Sequence, residues 1–259
     1  MLDHYEYFKS EVYKLTKIDL NCYKEKQMRR RIDTLATKNK AGSYEEYIEM
    51  LKSNHDLFDQ FVNFLTINVS EFYRNPDQWE LLDKTVIPKL IADHGKTLKI
   101  WSAACSTGDE PYSLVMAFSK HIPLSNIQII ATDIDKQVLA AAQMGLYNEK
   151  SIANVPEEFK KKYFTPVGKS NYQINDEIKK CVEFKVGNLL SDKYPTDMDL
   201  IVCRNVVIYF TDEAKTEIYK KFNASLKTGA YLFVGSTEQI INYKELNYTS
   251  FKSFFYKKN

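Results

Sequence analysis

Residues 101–114 read WSAACSTGDEPYSL, and this stretch decides the fold. The apolar run LKI precedes it and the helix-like run VMAFSK follows it. Together they predict a buried strand, a tight turn and a helix, the arrangement that binds nucleotides in a doubly wound sheet. The turn has one glycine, Gly108, where a dinucleotide fingerprint has three. The stretch therefore predicts a ligand-binding turn that differs from the dinucleotide type.

The strand, turn and helix pattern recurs through the second part of the chain. Apolar runs of strand length alternate with helical runs there, which predicts an α/β fold with a mostly parallel sheet and helices on both faces. The further predicted strands are IQIIATD (127–133), VEFKV (182–186), DLIVC (199–203), AYLFVGS (230–236) and, as a terminal strand, NYTSFKSFFYKK (247–258).

The segments outside this pattern predict the domain organisation. Residues 1–70 read as all helical, and residues 71–96 as a linker with a connecting helix. That helix is predicted to begin at Asn75-Pro76, with the asparagine as its side-chain cap, and to end at Gly95. Residues 97–259 form the predicted sheet domain. Residues 151–186 interrupt its rhythm and predict an inserted small helix and hairpin, that is, a small β-subdomain.

Composition favours an ordinary globular protein. The chain has 259 residues, of which 44% are hydrophobic and 27% charged, and its formal net charge is +2. No apolar run approaches the roughly 18 residues of a membrane span, and the N-terminus lacks a signal-peptide pattern, so we expect a cytoplasmic protein without membrane insertion. The four cysteines form no close pairs, which argues against a zinc site or a disulfide framework. Cys105 and Cys203 are expected to be small buried side chains.

Acidic residues follow the first predicted strand. Asp109 and Glu110 place negative charge where a pyrophosphate would otherwise lie, so they favour a cationic cofactor. S-adenosylmethionine carries both a sulfonium and an amine. The alternative is that these acids merely stabilise the N-terminus of the following helix. We expect Gly108 to let the chain turn close to the ligand.

A further acid, Asp133, ends the second predicted strand. Its carboxylate could accept hydrogen bonds from the two vicinal hydroxyls of a ribose. The alternative role is that of a helix N-cap, for which Asp135 is better placed. The sequence thus favours ribose binding for Asp133.

Four motifs in order resemble the chemotaxis receptor methyltransferases, the CheR family. They are NVSEFYR (68–74), WSAACSTGDEPYSL (101–114), ATDID (131–135) and CRNVVIYF (203–210). The resemblance covers nearly the whole chain, with Asp109 standing where the family usually has glutamate. It implies a Rossmann-like S-adenosylmethionine-dependent methyltransferase sheet, an inserted β-subdomain and an N-terminal all-helical domain. The implied reaction transfers methyl to glutamate side chains of chemoreceptors and leaves S-adenosylhomocysteine, without a metal.

The resemblance also implies the site residues. Arg74 and Tyr209 resemble the pair closest to the transferred methyl, and we expect them to be catalytic. The alternatives are a linker salt bridge for Arg74 and a core aromatic role for Tyr209. The residues implied to bind the cofactor are Asn68, Ser70, Arg74, Glu110, Asp133, Asn188, Leu189, Arg204 and Asn205.

The implied reaction needs no general base. A glutamate carboxylate, with a pKa of about 4.3, is already ionised at neutral pH. Alignment of the reacting atoms is then the main requirement, so we expect no catalytic histidine. The four histidines, at positions 4, 55, 94 and 121, all lie outside the motifs.

Residues 24–40 are strongly basic, with seven basic residues against two acids. A charge run of this kind is usually a solvated face, and it could also bind nucleic acid. The resemblance favours docking on the acidic methylation helices of chemoreceptors, with the protein as a monomer that associates with membrane-bound receptor arrays. The docking residues are predicted to be Lys24, Lys26, Arg29, Arg30, Arg31 and Lys38. The short loop TPVGKSNYQI (165–174) predicts a member that does not need a pentapeptide tether.

Other functions of the same fold fit less well. A nicotinamide dehydrogenase needs G-x-G-x-x-G after the first strand, and the chain lacks it. A nucleic-acid methyltransferase usually has a proline–aromatic motif where this chain reads CRNVVIYF. A non-catalytic protein that binds S-adenosylmethionine or S-adenosylhomocysteine as a regulator stays open.

Overall fold

A computed structural model describes residues 3–259 of the chain. The chain forms two compact units. Among the described residues, the helical unit comprises residues 3–68 and 209–217, and the sheet unit comprises residues 69–208 and 218–259. Within the described range, every helix is too short or too polar to cross a membrane.

Four helices build the helical unit around an aromatic core. Phe8 lies at its centre, with its ring centroid 4.6 Å from that of Tyr44 and 6.0 Å from that of Phe61. Side-chain caps begin two of the helices, because Ser43 accepts from the Glu46 N–H and Asn54 from the Leu57 N–H. The helices are α1 (Tyr5–Thr16), α2 (Glu25–Lys38), α3 (Tyr44–Ser53) and α4 (His55–Thr66).

A seven-stranded sheet dominates the sheet unit, with the strand order β6-β2-β1-β7-β8-β10-β9. The neighbours from β6 to β8 run parallel, and β10 and β9 are antiparallel. This arrangement confirms the predicted α/β class. Its strands are β1 (Leu98–Ala103), β2 (Ile127–Asp133), β6 (Val182–Val186), β7 (Met198–Cys203), β8 (Leu226–Val234), β9 (Tyr248–Lys252) and β10 (Phe255–Lys258).

The C-terminal segment differs from the prediction of one terminal strand. It forms a hairpin, in which β9 and β10 pair with each other and β10 pairs with β8. Phe254 has φ +68° in the turn between them. The sequence alternates throughout, so periodicity alone could not reveal the reversal; only the pairing partners fix it.

Helices cover both faces of the large sheet, as predicted. Alternate residues of a strand point to opposite faces. In β1, Ile100 belongs to one apolar cluster with Leu114 of α7 (Asp109–Phe118). The neighbouring Trp101 has its ring centroid 5.4 Å from that of Phe222, in α11 (Asp212–Ser225). Helix α8 (Lys136–Met144) packs on β2 and β6.

The connecting helix has the predicted ends but an irregular middle. It comprises α5 (Pro76–Leu81), a π-helical turn (Leu82–Val86) and α6 (Ile87–His94), and Gly95 caps it. Pro88 lacks an N–H and would crowd the carbonyl four residues earlier, so a wider turn before it relieves that clash. The predicted side-chain cap is wrong: Asn75 makes no cap hydrogen bond, and its Oδ1 accepts from Arg204 Nη2 at 3.2 Å instead.

A three-stranded antiparallel sheet, ordered β3-β5-β4, forms the small β-subdomain. Its first strand lies before the predicted insertion (151–186), and β6, at the end of that segment, pairs with β2 in the large sheet. The elements of the subdomain are β3 (Leu146–Asn148), α9 (Glu157–Tyr163), β4 (Phe164–Val167), β5 (Asn171–Ile174) and α10 (Asp176–Lys179).

Candidate cofactor site

The turn after β1 is held in an uncommon backbone conformation. Ala104 has φ +64° and Ser106 φ +49°, although neither is glycine. Each such residue costs about 1–2 kcal/mol, so surrounding contacts must hold it. The Cys105 N–H donates to Thr132 O at 2.9 Å, and the Ser106 N–H donates to Asp133 Oδ2 at 2.8 Å. The end of β2 thus fixes the shape of the turn.

Gly108 serves packing within the protein, which differs from the expectation that it faces the ligand. Its φ of +88° favours glycine, and a Cβ there would lie 2.9 Å from the Ala142 Cβ and 3.1 Å from the Tyr147 hydroxyl. Tyr147 also donates to Thr107 O at 2.7 Å. The glycine therefore admits α8 and β3 against the turn.

The two acids that begin α7 have different environments. Asp109 is 1% exposed, and it accepts hydrogen bonds from Thr107 Oγ1 at 2.6 Å and from the Ser70 side chain. Burial raises its pKa, and these hydroxyls oppose the rise. Asp109 thus ties the 69–73 segment to the turn and is not open to a ligand.

Glu110 is the more accessible acid, with 14% of its side chain exposed. Ser102 donates to its Oε1 at 2.8 Å, and Arg204 Nη1 lies 3.9 Å from its Oε2. Burial raises the pKa of Glu110 to about 7, although Arg204 and Ser102 lower it. Its negative charge is therefore only partly balanced, which suits a cationic ligand.

Asp133 lies at the carboxyl end of β2 and is 6% exposed. Its two oxygens accept from different backbone groups, Oδ2 from the Ser106 N–H and Oδ1 from the Asp135 N–H at 3.0 Å. Burial raises its pKa, against the effect of these N–H groups. Each carboxylate oxygen keeps a lone pair for another donor, such as a ribose hydroxyl. Asp135 caps α8 through the Gln137 and Val138 N–H groups, which confirms that assignment.

The loop after β6 carries Asn188 and Leu189. Asn188 Oδ1 accepts from the Leu190 N–H at 2.9 Å, and Leu189 is 8% exposed. Both residues line a cavity of about 260 Å³, together with Trp101 and Thr132. The loop therefore presents an apolar and an amide side chain beside the end of β2.

Arg204, directly after β7, is a buried cation with several partners. Its Nη2 donates to Arg74 O at 2.7 Å, to Asn75 Oδ1 and to Gln78 Oε1 at 2.8 Å. Its guanidinium lies 4.7 Å from the centroid of the Phe233 ring. Arg204 thus joins the connecting helix to the sheet edge and faces Glu110.

Asn205 follows in the left-handed region, with φ +61°. Its N–H donates to Glu238 Oε2 at 2.6 Å. Two side-chain oxygens at this edge, Asn205 Oδ1 and Ser106 Oγ, are buried and have no hydrogen-bond partner in residues 3–259. Buried polar atoms without a partner are costly, so a ligand that bonds to them would bind favourably.

The remaining predicted residues divide between the units. Arg74 belongs to the sheet unit and is half-buried; its Nη1 donates to Val69 O at 3.2 Å, and its charge lowers the pKa of Glu110. Asn68 and Tyr209 belong to the helical unit. Asn68 donates to Thr66 Oγ1 at 2.9 Å, and the half-buried Tyr209 accepts from the Lys24 N–H through its carbonyl at 3.0 Å.

The predicted docking residues on and before α2 are not equivalent. Lys24, Lys26, Arg30 and Lys38 are exposed. Arg31 is half-buried, and its Nη2 donates to Phe64 O at 2.7 Å while its guanidinium lies 4.4 Å from the Phe64 ring centroid. Arg29 lies over the Tyr5 ring. Of the predicted docking residues, Arg31 and Arg29 thus make contacts within the helical unit.

Sequence reasoning missed four residues that shape the site. Ser102, Gln78 and Tyr147 act through contacts distant in sequence, with no local pattern to mark them. Glu238 carries a usable sequence signal, because it is a polar residue that follows a parallel strand, β8, as the predicted site residues follow the other parallel strands. The same rule applied to the fifth strand end would have found it.

No cluster suited to a metal ion occurs in the described part of the chain. The groups gathered at this edge are mainly acceptors, which suit an organic cation that also carries hydroxyls. A partly balanced Glu110, an acid at the end of β2 and partnerless acceptors all fit S-adenosylmethionine. A parallel sheet with such an edge defines the class of S-adenosylmethionine-dependent methyltransferases.

Comparison with known proteins places the chain within that class. Residues 68–254 match the family model "CheR methyltransferase, SAM binding domain", and residues 3–66 match "CheR methyltransferase, all-alpha domain". The chain therefore belongs to the CheR methyltransferase family.

Its cysteines at positions 105 and 203 are free and buried, as predicted.

Similar proteins cover the whole chain. A Listeria innocua protein named "Chemotaxis protein methyltransferase" is 41% identical over 254 residues, which are 98% of this chain and 97% of the relative. A Listeria monocytogenes protein of the same name is 40% identical over the same shares. A Borreliella burgdorferi protein, also of that name, is 32% identical over 96% of this chain and 91% of its own length.

Proposed function

We propose that the chain transfers the methyl group of S-adenosylmethionine to glutamate carboxylates of chemoreceptors, forming methyl esters and S-adenosylhomocysteine. The observation that carries the proposal is the partly balanced Glu110, which faces the sheet edge in a chain whose relatives are named chemotaxis protein methyltransferases. A negative potential there favours a sulfonium donor over a phosphate-bearing ligand.

The chemistry asks little of the protein beyond alignment. When bound, S-adenosylmethionine would supply an activated methyl, which the acceptor carboxylate oxygen would take while the electrons of the carbon–sulfur bond pass to sulfur. The acceptor glutamate is already ionised and needs no base. Arg74 would orient that carboxylate with its forked N–H donors, and the Tyr209 hydroxyl would share this task. Arg74 suits this role because its side chain is only half-buried.

The other predicted residues would hold the cofactor. Glu110 would face its cationic methionine part and Asp133 its ribose, while Asn188 and Leu189 would lie at the adenine. Asn205 would offer its partnerless oxygen to a donor of the cofactor. Arg204 would act indirectly, by orienting Glu110 and the Arg74 backbone. Asn68 and Ser70 are proposed to close over the cofactor.

Receptor docking is proposed for the exposed basic residues of the helical unit. A groove of about 790 Å³ on α2 is lined by three basic residues and two acids, namely Lys26, Arg29, Arg30, Glu25 and Asp33. Acidic methylation helices would bind there through charge attraction, which salt screens. Lys24 and Lys38 would extend the patch, whereas Arg29 and Arg31 would support it from within. Binding of this kind would bring a cytoplasmic monomer to the receptor arrays.

The turn between β4 and β5 of the β-subdomain indicates whether the protein needs a receptor tail as a tether. Strands β4 and β5 are joined by a short turn with Gly168 at φ +65°. So short a connection leaves little chain to enclose a receptor tail, and we propose a member that works without a pentapeptide tether.

Incubation with labelled S-adenosylmethionine and receptor cytoplasmic fragments, followed by base, tests the proposal. Methyl esters release volatile label under base, whereas N-methyl products keep it. We expect base-labile label that depends on Arg74, and a loss of labelling in the Lys26→Glu/Arg30→Glu variant with cofactor affinity unchanged. The exposed Lys252→Glu variant is the matched control. Cofactor binding without ester formation on any receptor would instead support the non-catalytic regulator.

A further inference from the structure

Glu238 is a buried carboxylate that the proposed chemistry does not use. It is 4% exposed and lies after β8, at the same edge of the sheet as the cofactor site. Burial raises its pKa, and four backbone hydrogen bonds oppose that rise. A buried acid is retained only where it has enough donors to offset its desolvation.

Those donors come from two loops. Oε2 accepts from the Asn205 N–H at 2.6 Å and from the Gly235 N–H at 2.8 Å. Oε1 accepts from the Val206 N–H at 2.7 Å and from the Val207 N–H at 2.9 Å. The three consecutive N–H groups of residues 205–207 converge on one carboxylate and form an anion-binding nest, which Glu238 fills from within the protein. A carboxylate of a ligand is therefore kept out of this position.

Gly235 makes the fit tight. A Cβ at this residue would lie 2.5 Å from Glu238 Oε2 and 2.9 Å from the Asn205 nitrogen. Only glycine lets the carboxylate and the 205–207 backbone approach so closely. The local packing is thus arranged around the Glu238 carboxylate.

Asn205 is the residue that this arrangement constrains. Its φ of +61° lies in the left-handed region, which asparagine adopts more readily than most residues, and its backbone N–H is one of the four donors. Its Oδ1 is buried and has no partner within the described residues. The clamped backbone therefore presents an acceptor that the described residues do not satisfy.

We propose that Glu238 is a positioning residue for the cofactor, which clamps the 205–207 backbone so that Asn205 Oδ1 meets a donor group of S-adenosylmethionine. The inference rests on the cofactor-binding role proposed for Asn205. It concerns cofactor affinity alone and does not depend on which substrate receives the methyl.

A double-mutant cycle with Glu238→Gln and Asn205→Gly tests the proposal. The amide of Glu238→Gln keeps the shape but turns an NH₂ toward two of the four N–H donors. Asn205→Gly removes the side chain and keeps the backbone free to adopt positive φ. By calorimetry, each single variant should weaken S-adenosylmethionine binding about tenfold, and the double variant also about tenfold.

A merely structural role predicts a different result. In that case the two losses would multiply to about a hundredfold, or Glu238→Gln would lower the urea midpoint and leave affinity unchanged; either outcome overturns the proposal. Glu245→Gln, exposed in the same loop, is the control and should bind as wild type.

Gly235→Ala gives a second route if Glu238→Gln does not fold. This change keeps the carboxylate but displaces it, so the affinity for S-adenosylmethionine should fall. The effects of Gly235→Ala and Asn205→Gly on the binding free energy should again be non-additive. Wild-type affinity in a folded Gly235→Ala protein would refute the clamp. A wild-type chain that binds the cofactor but esterifies no receptor would refute the proposed function and leave this result standing.

Discussion

Buried carboxylates lie at both edges of the large sheet, but they have different partners. At the amino edge, where the parallel strands begin, Asp199 is completely buried. Lys227 Nζ lies 2.8 Å and His94 Nδ1 3.2 Å from its Oδ1. At the carboxyl edge, the cation nearest to Glu110 is Arg204, at 3.9 Å, and burial raises the pKa of Glu110 to about 7. The carboxylate at the amino edge, Asp199, is thus closely paired, whereas the one at the candidate site, Glu110, is only partly balanced. Substitutions at the two edges should therefore separate stability from cofactor affinity.

The largest effect is expected at the amino edge, with Asp199→Asn. Loss of the carboxylate removes the counter-charge of Lys227, and an amide NH₂ then faces either that ammonium group or the Lys99 N–H, so we expect the unfolding free energy to fall by about 3 kcal/mol. Urea unfolding measures the loss, and S-adenosylmethionine affinity should stay within about twofold of wild type. Asp197→Asn is the control, since that residue is exposed and asparagine tolerates its φ of +59°. A stable Asp199→Asn protein would contradict the assigned role.

The converse effect is expected for Glu110→Gln at the carboxyl edge. Removal of the charge that would face the cofactor cation should weaken S-adenosylmethionine binding roughly thirtyfold in calorimetry. The free energy of unfolding at pH 8 should be equal to or higher than that of wild type, because ionised Glu110 is costly to bury. Unchanged affinity would show that the negative potential is not what selects the cofactor.

The pH dependence of binding sharpens the same point. Since Glu110 has a pKa of about 7 in the folded protein, it is mostly protonated at pH 6 and mostly ionised at pH 8. The ratio of the S-adenosylmethionine affinity at pH 8 to that at pH 6 should then be about tenfold larger for wild type than for Glu110→Gln. A ratio that is identical in both proteins would exclude Glu110 as the titrating group.

The sign for stability is opposite to that for binding. The raised pKa means that the folded protein without cofactor holds this proton more tightly than the unfolded chain does. The contribution of Glu110 to the unfolding free energy should therefore fall as pH rises from about 4.5 to about 7. Urea unfolding of wild type and Glu110→Gln across this range measures it.

The smallest effect is expected at the β-subdomain, with Tyr147→Phe. This change removes the hydroxyl that donates to Thr107 O at 2.7 Å and so loosens the turn after β1. We expect a loss of affinity of about threefold to tenfold, as for one neutral hydrogen bond. Tyr172→Phe, in β5 of the same small sheet, should bind as wild type. Equal affinity in both variants would mean that the subdomain does not support the site.

Local sequence predicted the parts of the fold that local forces decide. The apolar runs and the residues between them predicted the five parallel strands, and Asp135 was recognised as a helix cap from its position before α8. Asp133 was placed at a strand end by the same reasoning. The connecting helix was predicted with its ends, but the π turn before Pro88 and the true partner of Asn75 were not.

Contacts between residues distant in sequence decided the rest. Arg204 meets Gln78 because the connecting helix lies beside the end of β7, and Glu238 meets Asn205 because the parallel strands β7 and β8 end at one edge. Gly108 illustrates the limit: the sequence indicated a special turn, but only packing against Ala142 assigned the glycine to protein contacts. Arg31 likewise has the sequence signal of a basic surface residue, and only the structure shows that it is half-buried and bonded to Phe64 O.

The sequence by itself determined the α/β class, the order of the strands along the chain and the acids that follow them, because periodicity and turn chemistry act over a few residues. The tertiary structure decided which of those acids are balanced, which loops they hold and where an acceptor is left open. The physical reason is that burial and charge pairing depend on neighbours far away in the chain, and a carboxylate shows the same sequence signal whether it is neutralised, like Asp199, or left partly unbalanced, like Glu110.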